Sequence, residues 1–392
     1  MARLGDLFLH IRNGANIKQG LDNTGYPITR IETISNRTVD RNKMGYAGIT
    51  DFEKYSDFVM QDGDILMSHI NSEIHLGKTA LYEKEGDEII IHGMNLLSLR
   101  PNKDLITSKY AFYYLSSQSF LRQIPNITKK SVNQASFTVS ALKELAFPIP
   151  SIEEQKKITL DLDKVNDLVS LRKQQLSKLD ELVKSRFVEL FGDPEDSTTK
   201  WERTTFSSVC IDMHQGINTV ADEVEYVNSG FPIIQSKNIT SGYLDLEDVR
   251  YVTESDYEYY RNKYNPKPSD LLVCNIGTIG KSLIVEKEVN FLIAWNLFLI
   301  KLNKELVSPI FVKVFIELLN QQNYFEKYMT GGTVKFVNKK TMGNISTPLP
   351  PMALQEQFAT FVEQTDKSKF EIQQSLEKLE TLKKALMQKY FG

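Results

Sequence analysis

The stretch LDELVKSRFVELFG at Leu179 to Gly192 returns as LETLKKALMQKYFG at Leu379 to Gly392, displaced by 200 residues without a gap. A chain that carries the same segment twice is built from two similar halves, and its fold must be one that a duplication can make. Just upstream, FPIPSIEEQ (Phe147 to Gln155) resembles TPLPPMALQEQ (Thr347 to Gln357), with Pro148 and Pro150 falling on Pro348 and Pro350 at the same displacement. The Glu-Gln dipeptides then differ by two further residues. GYPITRIETI from Gly25 parallels GFPIIQSKNI from Gly230, and DILMSHI from Asp64 parallels DLLVCNI from Asp270. LGKTALYEKE from Leu76 parallels IGKSLIVEKE from Ile279, and Asn95-Leu96 parallels Asn296-Leu297. The displacement wanders while the order is kept, as expected of loop insertions on a shared scaffold.

After Pro150 the apolar residues recur in steps of four and three: Ile158, Leu162, Val165, Val169, then Arg172, Leu176, Leu179 and Val183. That is a heptad seam. The same phase continues 200 residues later through Phe358, Val362, Thr365, Lys369, Ile372, Leu376, Leu379 and Lys383, with Leu382 and Leu386 widening the stripe. Each helix of about 40 residues would extend roughly 60 Å. A lone stripe of that length needs a partner, and two helices related by duplication pair most simply with each other, antiparallel. The plainer alternative packs each helix on its own domain.

The prolines before each helix suit an extended approach, and Gly192-Asp193-Pro194 stops the first helix. The expected organisation is therefore a globular domain at 1–150, a helix at 151–192, a linker at 193–200, a second globular domain at 201–350 and a second helix at 351–392. The globular parts mix short apolar runs (Ile65 to Met67, Ile89 to Ile91, Leu271 to Val273, Phe291 to Ile293) with turns and one helix each, near Ser108 to Ser117 and Pro309 to Asn320. The fold class that follows is α+β: two similar domains with mostly antiparallel curved sheets, separated by two long helices that form an antiparallel coiled coil.

Composition excludes more than it assigns. The 392 residues are 41% hydrophobic and 25% charged, ordinary for folded domains, and too many for one core. No run approaches the roughly 18 apolar residues of a membrane span, and residues 1–10 lack the zones of a signal peptide, so a cytoplasmic protein with no membrane association is expected. Cys210 and Cys274 make no disulfide framework, and the five histidines are scattered, so no metal is expected. A formal net charge of -3 argues against simple coating of nucleic acid and leaves room for local basic faces.

A search for catalytic chemistry returns nothing. GTIGKS at Gly277 to Ser282 lacks the leading glycine of a phosphate loop, position 275 being Asn275, and reads as a turn between strands. There is no Asn-Pro-Pro-aromatic motif, no glycine-rich cofactor fingerprint after a strand, no nucleophile elbow and no His-Glu-x-x-His. Polar and basic loops are better placed, because lysines serve phosphates while Asn, Gln and Arg make paired bonds to base edges. In the first half the candidates are Arg30, Asn36, Arg37, His69, Asn71, Lys129, Lys130 and Asn133. In the second they are Gln235, Lys237, Asn238, Asn275, Thr278, Lys335, Asn338 and Lys339. Arg30 aligns with Gln235, Glu32 with Lys237 and His69 with Asn275: aligned yet different, as reader positions should be when two halves read different words.

The paired junctions PIPSIEEQ from Pro148 and PLPPMALQEQ from Pro348, with the endings Phe191-Gly192 and Phe391-Gly392, make the chain resemble the specificity subunit of type I restriction-modification systems. The resemblance covers essentially the whole chain. It implies two target-recognition domains, each reading one half of a split sequence in double-stranded DNA, held apart by paired helices that act as a ruler. It also implies docking of two methyltransferase subunits and of restriction-translocase subunits. S-adenosylmethionine, ATP and magnesium are then expected on those partners and no cofactor on this chain, which has no activity of its own. A coiled-coil protein-interaction scaffold without DNA reading is the alternative, and a nucleotide hydrolase using Gly280-Lys281-Ser282 a more distant one.

Overall fold

The computed structural model describes residues 1–20, 24–34, 37–130, 134–196, 198, 200–329 and 335–392. The chain forms two compact units, of which the first is assembled from two separate segments. The first comprises Met1–Arg172 and Ser375–Gly392, the second Lys173–Gln374.

In the first unit, β1 (Phe8–Asn13), β2 (Ile65–Met67), β3 (Thr79–Leu81) and β4 (Leu97–Pro101) form an antiparallel sheet in the order β1-β4-β2-β3. Successive side chains of a strand point to opposite faces, so an unbroken apolar run such as Ile65-Leu66-Met67 marks a strand covered on both sides. Ile65, Met67, Leu97 and Leu99 join the core under α1 (Ser108–Leu115), while Leu66, Ala80, Tyr82 and Ile90 form a second core on the other face. The start of α1 is fixed by Thr107, whose side chain accepts the N–H of Tyr110.

The second unit repeats the plan. Here β5 (Cys210–Gln215), β6 (Leu271–Cys274), β7 (Ser282–Ile284) and β8 (Leu297–Leu302) pair in the order β5-β8-β6-β7. Leu271, Val273, Phe298 and Ile300 face the helix-side core, and Leu272, Cys274, Leu297 and Leu299 the opposite one. The mostly antiparallel sheet expected from the sequence is present in both halves. A parallel pair also occurs, Phe231–Ile234 beside Leu292–Ile293. In the first half the counterpart shrinks to one bridge between Ile28 and Ile91, so the apolar run Ile89 to Ile91 is not a strand. A helix absent from the sequence reading, α3 (Glu254–Tyr264), is capped by Thr253 and occurs in the second half alone among the described residues. The helix on the sheet there is α4 (Pro309–Gln321).

The GTIGKS string is a turn. It joins β6 to β7 with Gly277 and Gly280 at φ +74° and +79°, conformations that favour glycine.

The long helices are α2 (Ile152–Phe191) and α5 (Met352–Phe391). Antiparallel strand pairs (Ala2–Arg3 with Ala146–Phe147, Arg203–Thr205 with Ser346–Pro348) deliver the chain to each of them. α2 ends at Gly192, whose φ of +86° and bond to the Val188 carbonyl close the last turn. In the first unit Ile158 and Leu162, from the start of α2, share a core with Phe391, from the end of α5, and the Tyr390 hydroxyl donates to Asp161 at 2.6 Å. In the second unit Phe187 and Phe191 pack edge-on against Phe358 at 5.6 and 5.3 Å, and Lys369 pairs with Asp180 at 2.7 Å. Start meeting end in each unit is antiparallel pairing. The alternative in which each helix covers only its own domain gives way to something more interleaved: each domain is covered by the beginning of one helix and the end of the other.

Ile158, Leu162, Val165, Phe358, Val362 and Leu376 of the seam are buried, and Val169, Leu176, Leu179, Val183, Ile372, Leu379 and Leu386 are half-buried. Leu382 does not widen the stripe: it stands 46% exposed. The Glu-Gln dipeptides are also not the structural equivalents. Gln155 corresponds to Gln355 at the full displacement of 200, both fully buried and bonded alike.

Candidate nucleic-acid interface

In the second unit three loop segments converge on Asn296. Its carbonyl accepts the Ser236 hydroxyl at 2.8 Å and the Asn275 N–H at 3.3 Å, while its side-chain oxygen accepts the Ser236 N–H at 3.3 Å. Asn275 in turn accepts the N–H of Val337 at 2.9 Å, and Ile276 bridges Phe336. Gln235, Lys237, Asn275, Thr278 and Lys335, far apart in sequence, therefore belong to one end of the sheet. Thr278 and Lys335 are exposed, and Lys237 is tied to Asp248 at 2.5 Å, a bond that holds the Asp248 carboxyl below its ordinary range.

Two of the candidates there spend their side chains on scaffold bonds. The Asn238 side chain is buried, accepts the Gln235 N–H and donates to the carbonyls of Asp245 and Asp248 at 3.0 and 3.2 Å. Asn338 caps the helix Lys339–Gly343 by accepting the Thr341 N–H at 2.9 Å. The amide groups that suit a base edge also suit an unfilled helix end. Lys339 begins that helix and is exposed.

In the first unit Ile70–Asn71 pairs with Ala135–Ser136, which pairs with Lys129–Lys130, so Asn71 lies two strands from the lysines. Lys129 and Lys130 are exposed, Lys130 contacting Glu73 at 2.8 Å. Asn71 accepts the Ser72 N–H at 2.7 Å. A cavity of about 260 Å³ lined by Glu32, Ser68, Asn71 and Lys78 among others sets the 31–34 turn against the same segment. Arg30, half-buried, donates to the Gln19 side chain at 2.6 Å, and Arg37 donates to the Ser116 carbonyl just past α1. Asn36 and Asn133 lie outside the described residues, as do Gly331 to Val334 of the second half.

His69 and Asn275 are not surface contacts. His69 lies two residues past β2 and Asn275 directly follows β6, each is buried (5% and 0% exposed), and each carbonyl accepts the N–H of the matching loop residue, Phe137 at 3.1 Å and Val337 at 2.9 Å. His69 Nδ1 and both side-chain polar atoms of Asn275 find no partner among the described residues. Burial lowers the His69 pKa. Sequence reasoning aligned these two positions but missed Ser236 and Asn296; the matched Asn95 and Asn296 were the available signal.

Among the described residues no three His, Cys, Asp or Glu side chains are grouped to hold a metal ion, and no helix is long and apolar enough to cross a membrane. The family model for the type I restriction modification DNA specificity domain matches residues 1–181 and again 199–384. The chain belongs to this family. A putative type I restriction enzyme MjaX specificity subunit of Methanocaldococcus jannaschii is 33% identical over 98% of this chain and 90% of its own length. The type I restriction enzyme EcoBI specificity subunit of Escherichia coli is 23% identical over 71% of this chain and 64% of its own. The type I restriction-modification S subunit from M. genitalium shares the fold with a TM-score of 0.58 at 15% identity, covering 100% of this chain and 95% of that one. As a specificity subunit, the protein is a non-catalytic DNA-recognition component with two repeated recognition domains. Nothing in its structure or its relatives favours the scaffold alternative.

Proposed function

We propose that each recognition domain of this specificity subunit reads one half of a bipartite duplex target, and that the helix pair sets the gap between the halves. The observation that carries this is the two loop clusters at equivalent sheet ends, built on one scaffold and lined by different residues: Arg30 against Gln235, Glu32 against Lys237. Exposed Lys129 and Lys335 serve phosphates, while Gln235 and Asn71 face base edges. The outer faces of the helices dock two methyltransferase subunits, which a restriction-translocase subunit joins. Leu160, Leu168 and Leu171 on α2 are 54%, 45% and 53% exposed, and Phe370 on α5 is 65% exposed, apolar side chains that the seam leaves uncovered. In that assembly S-adenosylmethionine, ATP and magnesium belong to the partners, and the complex works in the cytoplasm.

Deleting one heptad from each long helix, Val169–Gln175 and Lys369–Ser375, keeps the seam in phase and removes about 10 Å, roughly three base pairs of duplex. Methylome sequencing of cells carrying the deletion should return the same two half-site words with a gap shortened by about that amount. An unchanged gap would reject the ruler.

A further inference from the structure

Both halves place a large apolar side chain in water at the same tight turn. Trp295 is 44% exposed and Met94 45%, each one residue before the matched Asn296 and Asn95 that lead into β8 and β4. The Trp295 backbone is clamped: its N–H donates to the Ile217 carbonyl at 2.8 Å, its carbonyl accepts the Gln215 side-chain amide at 3.2 Å, and the turn closes with Leu297 donating to Ala294 at 3.0 Å. Among the described residues no ring, cation or hydrogen-bond acceptor is recorded against its indole. Trp201 is the contrast, with its indole N–H bonded to the Leu190 carbonyl at 3.3 Å and Lys200 4.5 Å from the ring centre.

An indole left unpartnered on a rigid turn keeps a large, flat apolar face available for stacking. The next residue, Asn296, is the one that gathers the Gln235–Lys237 and Asn275–Thr278 segments. We propose that Trp295 is a specificity-determining wedge that stacks into a base step of the half-site read by the second domain, with Met94 its counterpart in the first. This rests on the reading that these loop clusters face DNA. Inserted apolar side chains unstack a step, and pyrimidine–purine steps yield most readily, so the wedge selects for such a step without any hydrogen bond to it.

The test uses the chain assembled with its methyltransferase subunits and a duplex library with a randomised core. The wild-type complex selects a pyrimidine–purine step within one half-site. Trp295→Ala loses that preference and binds the wild-type winner about ten- to a hundredfold more weakly, Trp295→Phe keeps most of both, and the other half-site is unchanged. Permanganate reactivity of a thymine at the selected step, high with wild type and Trp295→Phe, falls with Trp295→Ala. A Trp295→Ala complex that selects the same word within twofold of wild-type affinity overturns the wedge alone. So does a variant that melts normally but no longer assembles with the methyltransferase, since the indole then belongs to a protein contact. A wild-type complex that selects no word at all overturns the DNA-facing reading together with the wedge.

Discussion

The side-chain oxygen of Gln155 accepts the backbone N–H of Thr107 at 2.8 Å. The same amide donates to the carbonyls of Leu105 and Pro150 at 3.0 and 3.1 Å, locking the start of α2 to the start of α1. Gln355 repeats all three bonds, with Ser308, Leu306 and Pro350 at 2.8, 3.0 and 2.8 Å. Replacing either glutamine by leucine strands three backbone groups in a buried site, each costing about 1–3 kcal/mol if water does not reach it. Gln155→Leu and Gln355→Leu should each lower stability by about 3 kcal/mol or more in denaturant unfolding; a loss below about 1 kcal/mol would show the junctions to be replaceable.

Acid should weaken the first domain through two histidines. Burial, with help from Arg100 and Arg12 and against Asp64, brings the His10 pKa down to about 4, and burial brings His92 down to about 3. Both lie below the unfolded value of 6.5, so between those limits the unfolded chain holds more protons and stability falls as pH falls. Melting temperature should decline from about pH 6.5 towards pH 4, and His92→Gln should flatten the slope. An equal slope in the variant would remove His92 from the account.

Asn275 tests what a buried amide without a partner costs the fold. Its side chain is buried without a partner among the described residues, so an apolar replacement relieves a desolvated amide. Asn275→Leu should melt no lower than wild type. Destabilisation by about 2 kcal/mol would instead mean that the amide is satisfied in solution, by water or by the neighbouring loop.

The halves also differ in how they anchor a matched aspartate. Asp64, 1% exposed, takes both oxygens into a paired contact with Arg100 at 2.8 Å each. Asp270 accepts the Lys267 N–H at 2.8 Å, and burial raises its pKa. Removing one member of a buried pair costs about 3–5 kcal/mol, because the other charge is left uncompensated. Asp64→Ala should therefore destabilise more than Asp270→Ala, and equal losses by calorimetry would deny Arg100 its role.

What the sequence made legible followed from period and repetition. The seam from Ile158 to Val183 marked α2 because a heptad is a property of the helix itself. Ile65 to Met67 and Leu271 to Val273 were readable as buried strands because both of their faces are apolar. α3 was not readable: Glu254 to Tyr264 is polar and aromatic all round, with Thr253 as its one clear signal. Asn238 and Asn338 were legible as polar loop residues but not as caps, since one amide chemistry serves both purposes. The burial of His69 and Asn275 was not legible, because burial at the end of a strand depends on a loop some 60 residues away that comes back over them.

Phe391, from the last turn of α5, completes the core of the first domain, and Phe187, near the end of α2, completes the core of the second. The protein is thus a single-chain analogue of a domain-swapped dimer, in which each half lends the other the element it lacks. Cutting the chain between Gly192 and Trp201 would not release two self-sufficient modules; it would leave two incomplete ones, each carrying the part that the other, or a second copy of itself, needs to close.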